Sequence, residues 1–443
     1  MSERVYRQLL ARVGEQHPRP RLEPTRRLVD LLGNPQDAAP VIHLTGTNGK
    51  TSTSRMIESL LRAAGLRTGM LTSPHLERFN ERIVIDGEPI SDEQLDRNWE
   101  EIGPYLSLVD DELERAGESP LTFFEALTGL AFVCFADTPV DVVVLEVGMG
   151  GEWDSTNVAT ADVAVFTPIA LDHLGRIGNT LGEIAQTKAG ILKPGCVAVS
   201  AQQLPEVATI LRERSADLHA AISFADTDFA LERSVVAVGG QLIDVRGRAG
   251  QYPELLLPLF GAHQAHNAAL AIAAVESFLG DGAHPLPEGI AQEGLAEVRS
   301  PGRLEPIGSG PLVVVDGAHN PHGVRALCAG ITESFPVTEL AIVLGVLAEK
   351  DVAGILAELR ELRPARMFAT QSESERSVPA EDLAELASAS GFVTEALANS
   401  ASAFDAARAW AGESEGRAVL VTGSLTLVAE ARRAARIGEW LSR

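Results

Sequence analysis

The segment from Val41 to Leu61 carries the clearest chemical pattern in the sequence. An apolar run leads into the turn Thr45–Thr51, TGTNGKT, and an amphipathic helical pattern follows. Glycines allow such a turn to wrap its backbone N–H groups around a phosphate, and the start of the helix adds a favourable dipole. We expect Lys50 to reach the β- and γ-phosphates of a nucleotide and the Thr51 hydroxyl to ligate Mg²⁺. The other phosphate contacts expected in this turn are Thr47, Asn48 and Gly49.

The spacing of this turn departs from the usual P-loop pattern GxxxxGK[ST], because Leu44 occupies the position of the first glycine. A strand, glycines, a GKT triplet and a helix nevertheless occur in the expected order, which favours nucleotide binding over a glycine turn without a ligand. No NKxD guanine-recognition motif occurs in the chain, which argues against a switch GTPase. The turn alone leaves ligase, kinase and ATPase open.

Polar side chains follow two further apolar runs, at the points where buried strands are expected to end. Glu146 follows VVVL, and Asp172 with His173 follows TPIAL. The carboxyl ends of parallel strands form the crevice where open α/β sheets bind ligands. The glycines of EVGMGG, Glu146–Gly151, would let a phosphate or a metal ion approach closely. Together with the P-loop turn, these residues predict a phosphate and metal site at one edge of a sheet.

The elements that must position these residues alternate between short apolar runs and helical patterns. Continuous apolar runs suit strands buried on both faces of a parallel sheet, with helices as the crossover connections. The runs are PVIHL ending at Leu44, Asp141–Val147, Asp162–Ile169 and PLVVVD ending at Asp316. This pattern predicts an α/β fold with a P-loop-containing, parallel-sheet N-terminal ATPase domain and a smaller Rossmann-like α/β C-terminal domain.

A boundary between the two domains is expected near Arg299–Pro306, where proline and glycine interrupt a helical stretch. We therefore place the domains at residues 1–298 and 302–443. The stretch Phe229–Gly247 is expected to form an antiparallel hairpin around Gly239-Gly240. Strands of the C-terminal domain are expected near Val313, Ala341, Arg366, Phe392 and Ala418.

Charge and composition exclude several classes of protein. The 443 residues include 37 Lys plus Arg and 61 Asp plus Glu, a formal charge of −24, whereas nucleic-acid binding needs a basic surplus. No run approaches the roughly 18 apolar residues of a membrane span, and no signal-peptide pattern opens the sequence. The cysteines, Cys134, Cys196 and Cys328, form no CxxC pair and suit a reducing compartment. We expect a cytoplasmic protein that binds neither nucleic acid nor membrane.

Several sequence blocks carry a resemblance to a known family. They are GTNGKTS, LTSPHLERFNERI (Leu71–Ile83), EVGMGG.WDSTN (Glu146–Asn157), LDH, TKAGI (Thr187–Ile191), HQAHNAALA (His263–Ala271), PGRLE and DGAHNP. In this order the blocks resemble the folylpolyglutamate synthase/dihydrofolate synthase family of the Mur-ligase superfamily. The resemblance implies an ATP-dependent, ADP-forming amide ligase that adds L-glutamate to dihydropteroate, to folylpoly-γ-glutamates or to both. Its implied intermediate is an acyl phosphate.

The resemblance implies roles for residues at matching positions in the ATP and metal sites. Asn267 and Arg303 match nucleotide contacts, and Asp316 matches the acid that holds the ribose. The implied ligands of two Mg²⁺ ions are Thr51, Ser73, Glu146 and His173. Lys188 matches a lysine that is carbamylated in this superfamily, although the sequence leaves a solvated lysine as the alternative.

The resemblance also implies contacts for glutamate and for the pterin. The glutamate site would use Arg82, His319 and Ser424, with His319 orienting the amine or the phosphate. The pterin would contact Thr122, Phe124 and Asp154, although core packing is equally compatible with Phe124. Two positions depart from the family pattern. Thr51 stands where many relatives have glycine and keeps a hydroxyl for the metal, whereas Glu152 stands where many have arginine and is expected to affect substrate choice.

Two other functions stay open on the sequence alone. A ligase of the same superfamily that acts on a cell-wall peptide precursor would need a different substrate pocket, and TSPHLERFNERI argues against it. A nucleotide-binding regulator without ligase activity would not need Ser73, Glu146, His173 and Lys188 together. We expect a monomer whose substrates are ATP, L-glutamate and either dihydropteroate or folates.

Overall fold

The computed structural model describes residues 2–14, 19–172 and 174–441. This part of the chain divides into two compact units. The first unit comprises the chain up to Ser234, Leu242–Leu257 and Ala265–Val298, and the second comprises Val235–Gln241, Pro258–Gln264 and the residues from Arg299 onward. The predicted functional domains, residues 1–298 and 302–443, differ from this division at the two short segments before Ala265, and they remain a prediction.

An eight-stranded sheet forms the centre of the first unit. Its order is β4-β3-β2-β5-β1-β6-β7-β8, and all neighbours from β2 to β8 in this order run parallel, whereas β3 and β4 are antiparallel. The strands are β1 Val41–Thr45, β2 Thr68–Leu71, β3 Ile83–Ile85, β4 Glu88–Pro89, β5 Val142–Glu146, β6 Val163–Phe166, β7 Val197–Ser200 and β8 Ala221–Phe224. The predicted runs that contain β1, β5 and β6 are therefore confirmed as central parallel strands.

Helices cover the sheet and bury its central strands along their whole length. Strands β1 and β5 have no exposed residue, as expected for parallel strands with helices on both faces. The helices are α1 Ser2–Leu10, α2 Glu23–Leu31, α3 Lys50–Ala63, α4 Asp92–Arg115, α5 Phe123–Asp137, α6 Leu181–Ala189, α7 Pro205–Asp217, α8 Ala262–Gly280 and α9 Ile290–Ala296. None of the helices in the described residues is long and apolar enough to cross a membrane.

A separate three-stranded sheet contains the predicted hairpin. Its order is β11-β10-β9, with β9 Ala230–Ala237, β10 Gly240–Arg246 and β11 Gln251–Leu257. Val238 and Gly239 form the turn between β9 and β10, and Gly239 has a φ of 78°, which the absence of a side chain permits. The prediction of two paired strands on either side of this glycine is confirmed.

The second unit is built on a six-stranded sheet of order β12-β13-β17-β14-β15-β16. Only β12 is antiparallel to its neighbour. The strands are β12 Glu305–Ser309, β13 Leu312–Val315, β14 Glu339–Leu344, β15 Arg366–Thr370, β16 Thr394–Leu397 and β17 Arg417–Thr422. The helices are α10 Pro321–Ser334, α11 Val352–Leu359, α12 Ala380–Ala389, α13 Ser400–Gly412 and α14 Leu425–Ile437. The five strands expected here from the sequence are confirmed, the one near Phe392 beginning two residues later.

A buried carboxylate fixes the turn between β10 and β11 to α8. Glu276 is fully buried and accepts hydrogen bonds from the backbone N–H groups of Arg248 (2.5 Å) and Gly250 (3.0 Å). The Tyr252 hydroxyl donates a third, at 2.6 Å. A Cβ at Gly247 would lie 2.6 Å from the carboxylate oxygens, so the turn can approach Glu276 only with glycine at this position.

We expect Glu276→Ala to lower the free energy of unfolding by about 2–4 kcal/mol, because several buried donors lose a charged acceptor. Tyr252→Phe is the matched control, since it removes one of the same hydrogen bonds and should cost about 1 kcal/mol. Urea denaturation of both variants measures the difference. Equal losses would show that the backbone hydrogen bonds to Glu276 contribute little.

Candidate active site

The P-loop turn connects β1 to α3 and is held against the end of β6. Thr47 donates from its backbone N–H to the Pro168 carbonyl and from its hydroxyl to the Ala170 carbonyl, each at 2.9 Å. A Cβ at Gly46 would lie 1.8 Å from Thr167 Oγ1, so no other residue fits there. The backbone of the turn is therefore fixed before any ligand binds.

Gly49 is the residue that precedes the first turn of α3. Its φ of 87° is left-handed, and a Cβ there would lie 2.9 Å from Asn267 Oδ1. Asn267 is buried on α8, and its side-chain amide thus lies against the P-loop turn. The predicted nucleotide contact at Asn267 is close to the predicted phosphate-binding residues, and its role stays a prediction.

Two lysines converge on the carbonyl oxygen of Gly46. Lys50 Nζ lies 3.1 Å from this oxygen and Lys188 Nζ lies 2.8 Å from it. Lys188 is only 4% exposed, and burial together with the positive charge of Lys50 lowers its pKa to about 7, against the opposing effects of Asp172 and Asp154. A solvated lysine, the alternative left open by the sequence, does not describe this environment.

The Thr51 hydroxyl and the Glu146 carboxylate meet at the carboxyl end of β5. Thr51 donates to Glu146 Oε1 at 2.8 Å, and Glu146 is 1% exposed. Oxygen donors of this kind are the ligands that Mg²⁺ prefers. Within the described residues no three His, Cys, Asp or Glu side chains are grouped so as to hold a metal. The pair therefore fits a Mg²⁺ that takes its remaining ligands from phosphates and water, as Mg²⁺ commonly does.

Of the other two predicted metal ligands, the structure describes one, Ser73. Ser73 follows β2, whose Leu71 pairs with Leu145 of β5, so Ser73 and Glu146 lie at the same edge of the sheet. His173 lies outside the described residues. Asp172, its neighbour, lines the cleft beside the P-loop turn.

The cleft beside these residues contains about 270 Å³ of space between atoms, part of it open to solvent. It is lined by Gly46, Thr47, Lys50, Val147–Gly150, Asp172, Ile177 and Lys188. The lining thus contains two lysines and one aspartate, beside the start of α3, whose dipole favours an anion. The arrangement suits a phosphate chain.

The glycine-rich loop after β5 is organised by Asp154. This carboxylate accepts from the backbone N–H groups of Met149 (2.9 Å) and Thr156 (3.0 Å) and from the Thr156 hydroxyl (2.6 Å). Burial raises the pKa of Asp154, and these hydrogen bonds oppose the rise. The exposed Glu152 is fixed by its backbone N–H, which donates to the Thr187 carbonyl at 2.8 Å.

The predicted pterin residues Thr122 and Phe124 lie at the start of α5. Thr122 caps the helix: its hydroxyl accepts from the Glu125 N–H at 3.3 Å, and Glu125 accepts from the Thr122 N–H at 2.6 Å. The half-buried ring of Phe124 lies against Gly148, where a Cβ would be 2.7 Å from the ring. Phe124 thus contacts the glycine-rich loop that also carries Asp154 and also packs against the hydrophobic core, so its role at the pterin stays a prediction.

Arg82 is buried in an aromatic environment. It is 3% exposed, its Nε donates to His75 Nδ1 at 2.8 Å, and its guanidinium carbon lies 5.0 Å from the centre of the Phe123 ring. A guanidinium held in this way has a fixed orientation. Its predicted role at the glutamate site is neither supported nor contradicted by these contacts.

The second unit brings its predicted site residues to one edge of its sheet. Asp316 follows β13 and Ser424 follows β17, and these strands are parallel neighbours. Asp316 is buried, which raises its pKa, and it accepts from the N–H groups of Leu304 and Ala318, each at 2.8 Å.

The remaining predicted residues of this unit make local contacts. Arg303 donates to the Gly302 carbonyl at 3.1 Å, and His319 Nδ1 lies 2.8 Å from the Gly317 carbonyl. Ser424 caps α14 by accepting from the Leu427 N–H at 3.2 Å. The roles of Asp316, Arg303, His319 and Ser424 in substrate binding stay predictions.

Two threonines near the cleft were missed by the sequence analysis. Thr45 donates from its hydroxyl to the Gly150 carbonyl at 2.7 Å and so joins β1 to the glycine-rich loop. Thr167 fills the space beside Gly46. Both residues lie in or directly after fully buried strands, where alternation of polar and apolar residues gives no signal.

Comparison with known protein families identifies the class of enzyme to which this site belongs. The model of the Mur ligase middle domain matches residues 44–275, and that of the Mur ligase glutamate ligase domain matches residues 302–425. Fold and site therefore define a ligase of the Mur type.

Individual relatives narrow the class. The dihydrofolate synthase/folylpolyglutamate synthase of Mycobacterium tuberculosis is 45% identical over 386 residues, which are 84% of this chain and 79% of the relative. The Escherichia coli protein of the same name is 33% identical over 420 residues, 92% of this chain and 89% of the relative. The chain belongs to the dihydrofolate synthase/folylpolyglutamate synthase family of ATP-dependent, ADP-forming ligases, which confirms the resemblance seen in its motifs.

Solved structures agree with this assignment. Folylpolyglutamate synthase of Mycobacterium tuberculosis complexed with ADP and AMPPCP has a TM-score of 0.91 at 41% identity, over 98% of this chain and 97% of that chain. Escherichia coli FolC in complex with DHPP and ADP has a TM-score of 0.83 at 30% identity, over 96% of both chains. The predicted α/β fold class is confirmed.

We expect Gly49→Ala to weaken ATP binding by about tenfold or more, a loss of about 1.4 kcal/mol, because the new Cβ displaces Asn267 and the turn. Gly33→Ala is a matched control, since Gly33 has a φ of 82° and open space around its Cβ position. The control should lose about 1–2 kcal/mol of stability and keep its ATP affinity. Calorimetric titration with a non-hydrolysable ATP analogue measures both. Equal affinities in the two variants would contradict a phosphate site at this turn.

Proposed function

We propose that this chain joins L-glutamate to dihydropteroate and to folylpolyglutamates, with one molecule of ATP converted to ADP and phosphate at each addition. The observation that carries the proposal is that Lys50 and Lys188 line one cleft, while the hydrogen-bonded pair Thr51 and Glu146 comes from positions next in sequence to its lining residues Lys50 and Val147. The names of relatives such as the Mycobacterium tuberculosis protein support the choice of substrates. That some relatives are named for both activities supports a bifunctional enzyme over a dedicated one.

The first chemical step activates a carboxylate. An oxygen of the acceptor carboxylate attacks the γ-phosphorus of ATP, the bond to the β-phosphate oxygen breaks, and ADP leaves. Lys50 stabilises the negative charge on the transferred phosphoryl group. The backbone N–H groups of the turn, with contributions from Thr47, Asn48 and Gly49, hold the phosphates in place. The product of this step is an acyl phosphate.

Mg²⁺ fits the donors that the cleft presents. Thr51 and Glu146 would hold it, with Ser73 and His173 as further ligands of a two-ion site. When bound, Mg²⁺ neutralises the triphosphate and the incoming carboxylate, which the net charge of the chain would otherwise repel. The chain's own contribution is a buried carboxylate and hydroxyl already in contact at 2.8 Å.

The second step forms the amide. The amine of glutamate attacks the acyl carbonyl, a tetrahedral intermediate forms, phosphate leaves with the bonding electron pair, and the nitrogen gives up a proton to the leaving phosphate or to solvent. We propose that Arg82 and Ser424 bind the glutamate and that His319 orients its amine or the leaving phosphate. Arg303 and Asp316 are proposed to contact the nucleotide, the latter at the ribose, together with Asn267.

The acceptor is proposed to bind beside the glycine-rich loop. The Phe124 ring lies next to Gly148, and Thr122 and Asp154 are the polar residues proposed to complete the site. Glu152 is exposed on the same loop and adds a negative charge. A negative charge at this position disfavours acceptors with long anionic polyglutamate tails, and we propose that Glu152 limits chain length.

We propose that Lys188 is carbamylated in the active enzyme. The lone pair of its neutral amine attacks the carbon of CO₂, an N–C bond forms, and the amine proton passes to solvent. Because burial and the charge of Lys50 lower the pKa of Lys188 to about 7, more of the amine is neutral at pH 8 than at pH 6. The resulting carbamate is an anion beside Lys50, which replaces a repulsion by an attraction.

Incubation with Mg-ATP, dihydropteroate and excess L-glutamate, followed by mass analysis, tests the proposed reaction. We expect dihydropteroate with one glutamate and a ladder of further additions when a reduced folate is supplied. Lys50→Ala should lower turnover by about 10²–10³-fold, because one electrostatic contact to the transition state is lost. Lys193→Ala, a half-buried lysine outside the cleft, is the matched control and should stay active. The absence of product with either acceptor would refute the folate assignment. Activity on a wall-peptide precursor would instead identify a cell-wall ligase.

Carbamylation of Lys188 predicts a bicarbonate effect that depends on pH. Protein depleted of CO₂ should be nearly inactive and should recover with bicarbonate at pH 8 but far less at pH 6. A ¹³C-bicarbonate NMR signal should appear in the wild type and in Lys350→Met but not in Lys188→Met. A signal of equal size in Lys188→Met would exclude this lysine as the modified group.

A further inference from the structure

His43, in the middle of β1, has no part in the reaction described so far. It is completely buried, two residues before the P-loop turn begins. A polar ring inside a parallel sheet costs free energy unless a hydrogen bond compensates for the lost water. His43 Nε2 lies 2.8 Å from Thr156 Oγ1, and Nδ1 has no hydrogen-bond partner among the described residues. Thr156 is therefore the hydrogen-bond partner of the ring among the described residues.

The direction of this hydrogen bond follows from the next contact. Thr156 Oγ1 lies 2.6 Å from Asp154 Oδ1, and the same carboxylate accepts two backbone N–H groups. Asp154 Oδ1 also accepts from the Thr156 N–H, and the Thr156 hydroxyl donates its hydrogen to the same oxygen. The hydroxyl oxygen must then accept from His43, which places the ring hydrogen on Nε2. Burial lowers the pKa of His43 to about 3, which agrees with a neutral ring.

Asp154 transmits this contact to the glycine-rich loop. Its other oxygen holds the N–H of Met149, so the two ends of the turn between residues 149 and 156 are joined through one carboxylate. Gly148, beside Met149, is the residue against which the Phe124 ring lies. A change in the orientation of Asp154 would therefore move the surface on which we propose that the acceptor binds.

The P-loop turn has its own supports. Thr47 is held by the Pro168 and Ala170 carbonyls, and Lys50 and Lys188 bind the Gly46 carbonyl. None of these hydrogen bonds involves His43 or Thr156. Loss of the His43 contact should therefore disturb the acceptor side of the cleft more than the nucleotide side.

We infer that His43 is a positioning residue for acceptor binding, acting through Thr156 and Asp154 on the glycine-rich loop. The inference rests on the proposed function, because Asp154 and Phe124 are assigned there to the acceptor. It gives a role to a histidine that touches neither nucleotide nor acceptor.

Two substitutions at His43 separate the hydrogen bond from the volume of the ring. His43→Leu fills a similar space without a donor, whereas the amide of His43→Gln can place N–H near the position of Nε2. We expect His43→Leu to raise the dissociation constant of dihydropteroate about 3- to 10-fold and to change that of AMPPCP by less than about twofold. His43→Gln should restore most of the acceptor affinity. Calorimetric titration of the nucleotide-loaded protein measures both constants without turnover.

Thr156→Val tests the chain of contacts. If His43 acts through Thr156, the double variant His43→Leu/Thr156→Val should lose no more acceptor affinity than the larger of the two single losses. Additive losses would contradict the relay. Hydrogen exchange gives a second readout, because the Met149 and Thr156 amides should exchange several-fold faster in His43→Leu while amides in the interior of α3 keep their rates.

The outcomes distinguish this inference from the proposed function. Faster exchange at Met149 with unchanged acceptor affinity would overturn the inference, and the ligation assay on the wild type would still decide the function. Weaker acceptor and nucleotide binding by the same factor, with no rescue by His43→Gln, would reduce His43 to a structural role and likewise overturn the inference. Absence of acceptor binding by the wild type would overturn both.

Discussion

The carbonyl oxygen of Gly46 accepts hydrogen bonds from two lysine side chains, and the candidate site is arranged around this contact. Lys50 comes from the start of α3 and Lys188 from α6, so one backbone oxygen joins the P-loop turn to a helix 142 residues away in sequence. The contact requires glycine at position 46, because a Cβ would overlap Thr167. Lys50 and the N–H groups at the start of α3 give phosphate a favourable place to bind in an acidic chain.

Two of the predicted site residues, one in each unit, are carboxylates that organise backbone. Asp154 in the first unit and Asp316 in the second each accept two backbone N–H groups. Their loops are thereby fixed before substrate binds, and fixed dipoles stabilise charge in a transition state without the cost of reorganisation. Glu146 differs from them in that it meets the hydroxyl of Thr51, which suits a shared cation.

Much of this arrangement follows from the sequence, since strands buried on both faces appear as continuous apolar runs. That is why β1, β5 and β6 were predictable, and why the residues after them could be placed at one edge of a sheet. The same burial leaves other residues without a signal in the sequence pattern. His43 and Thr45 lie in a strand without exposed positions, so nothing in the local pattern marks them, and their partners Thr156 and Gly150 are more than 100 residues away. The depressed pKa of Lys188 likewise depends on burial and on Lys50, which no spacing reveals.

The fate of a carboxylate oxygen tests the central claim, that an acyl phosphate connects ATP cleavage to amide formation. Dihydropteroate labelled with ¹⁸O in both carboxylate oxygens would be incubated with the protein, Mg-ATP and L-glutamate. The ¹⁸O content of the released phosphate would be measured by mass spectrometry. The account predicts one ¹⁸O-labelled phosphate for each dihydropteroate consumed, because the oxygen that attacks the γ-phosphorus leaves with it; phosphate from later additions is unlabelled, since their carboxylate comes from unlabelled glutamate. Fewer than one labelled phosphate per dihydropteroate consumed, or label in AMP, would contradict the account.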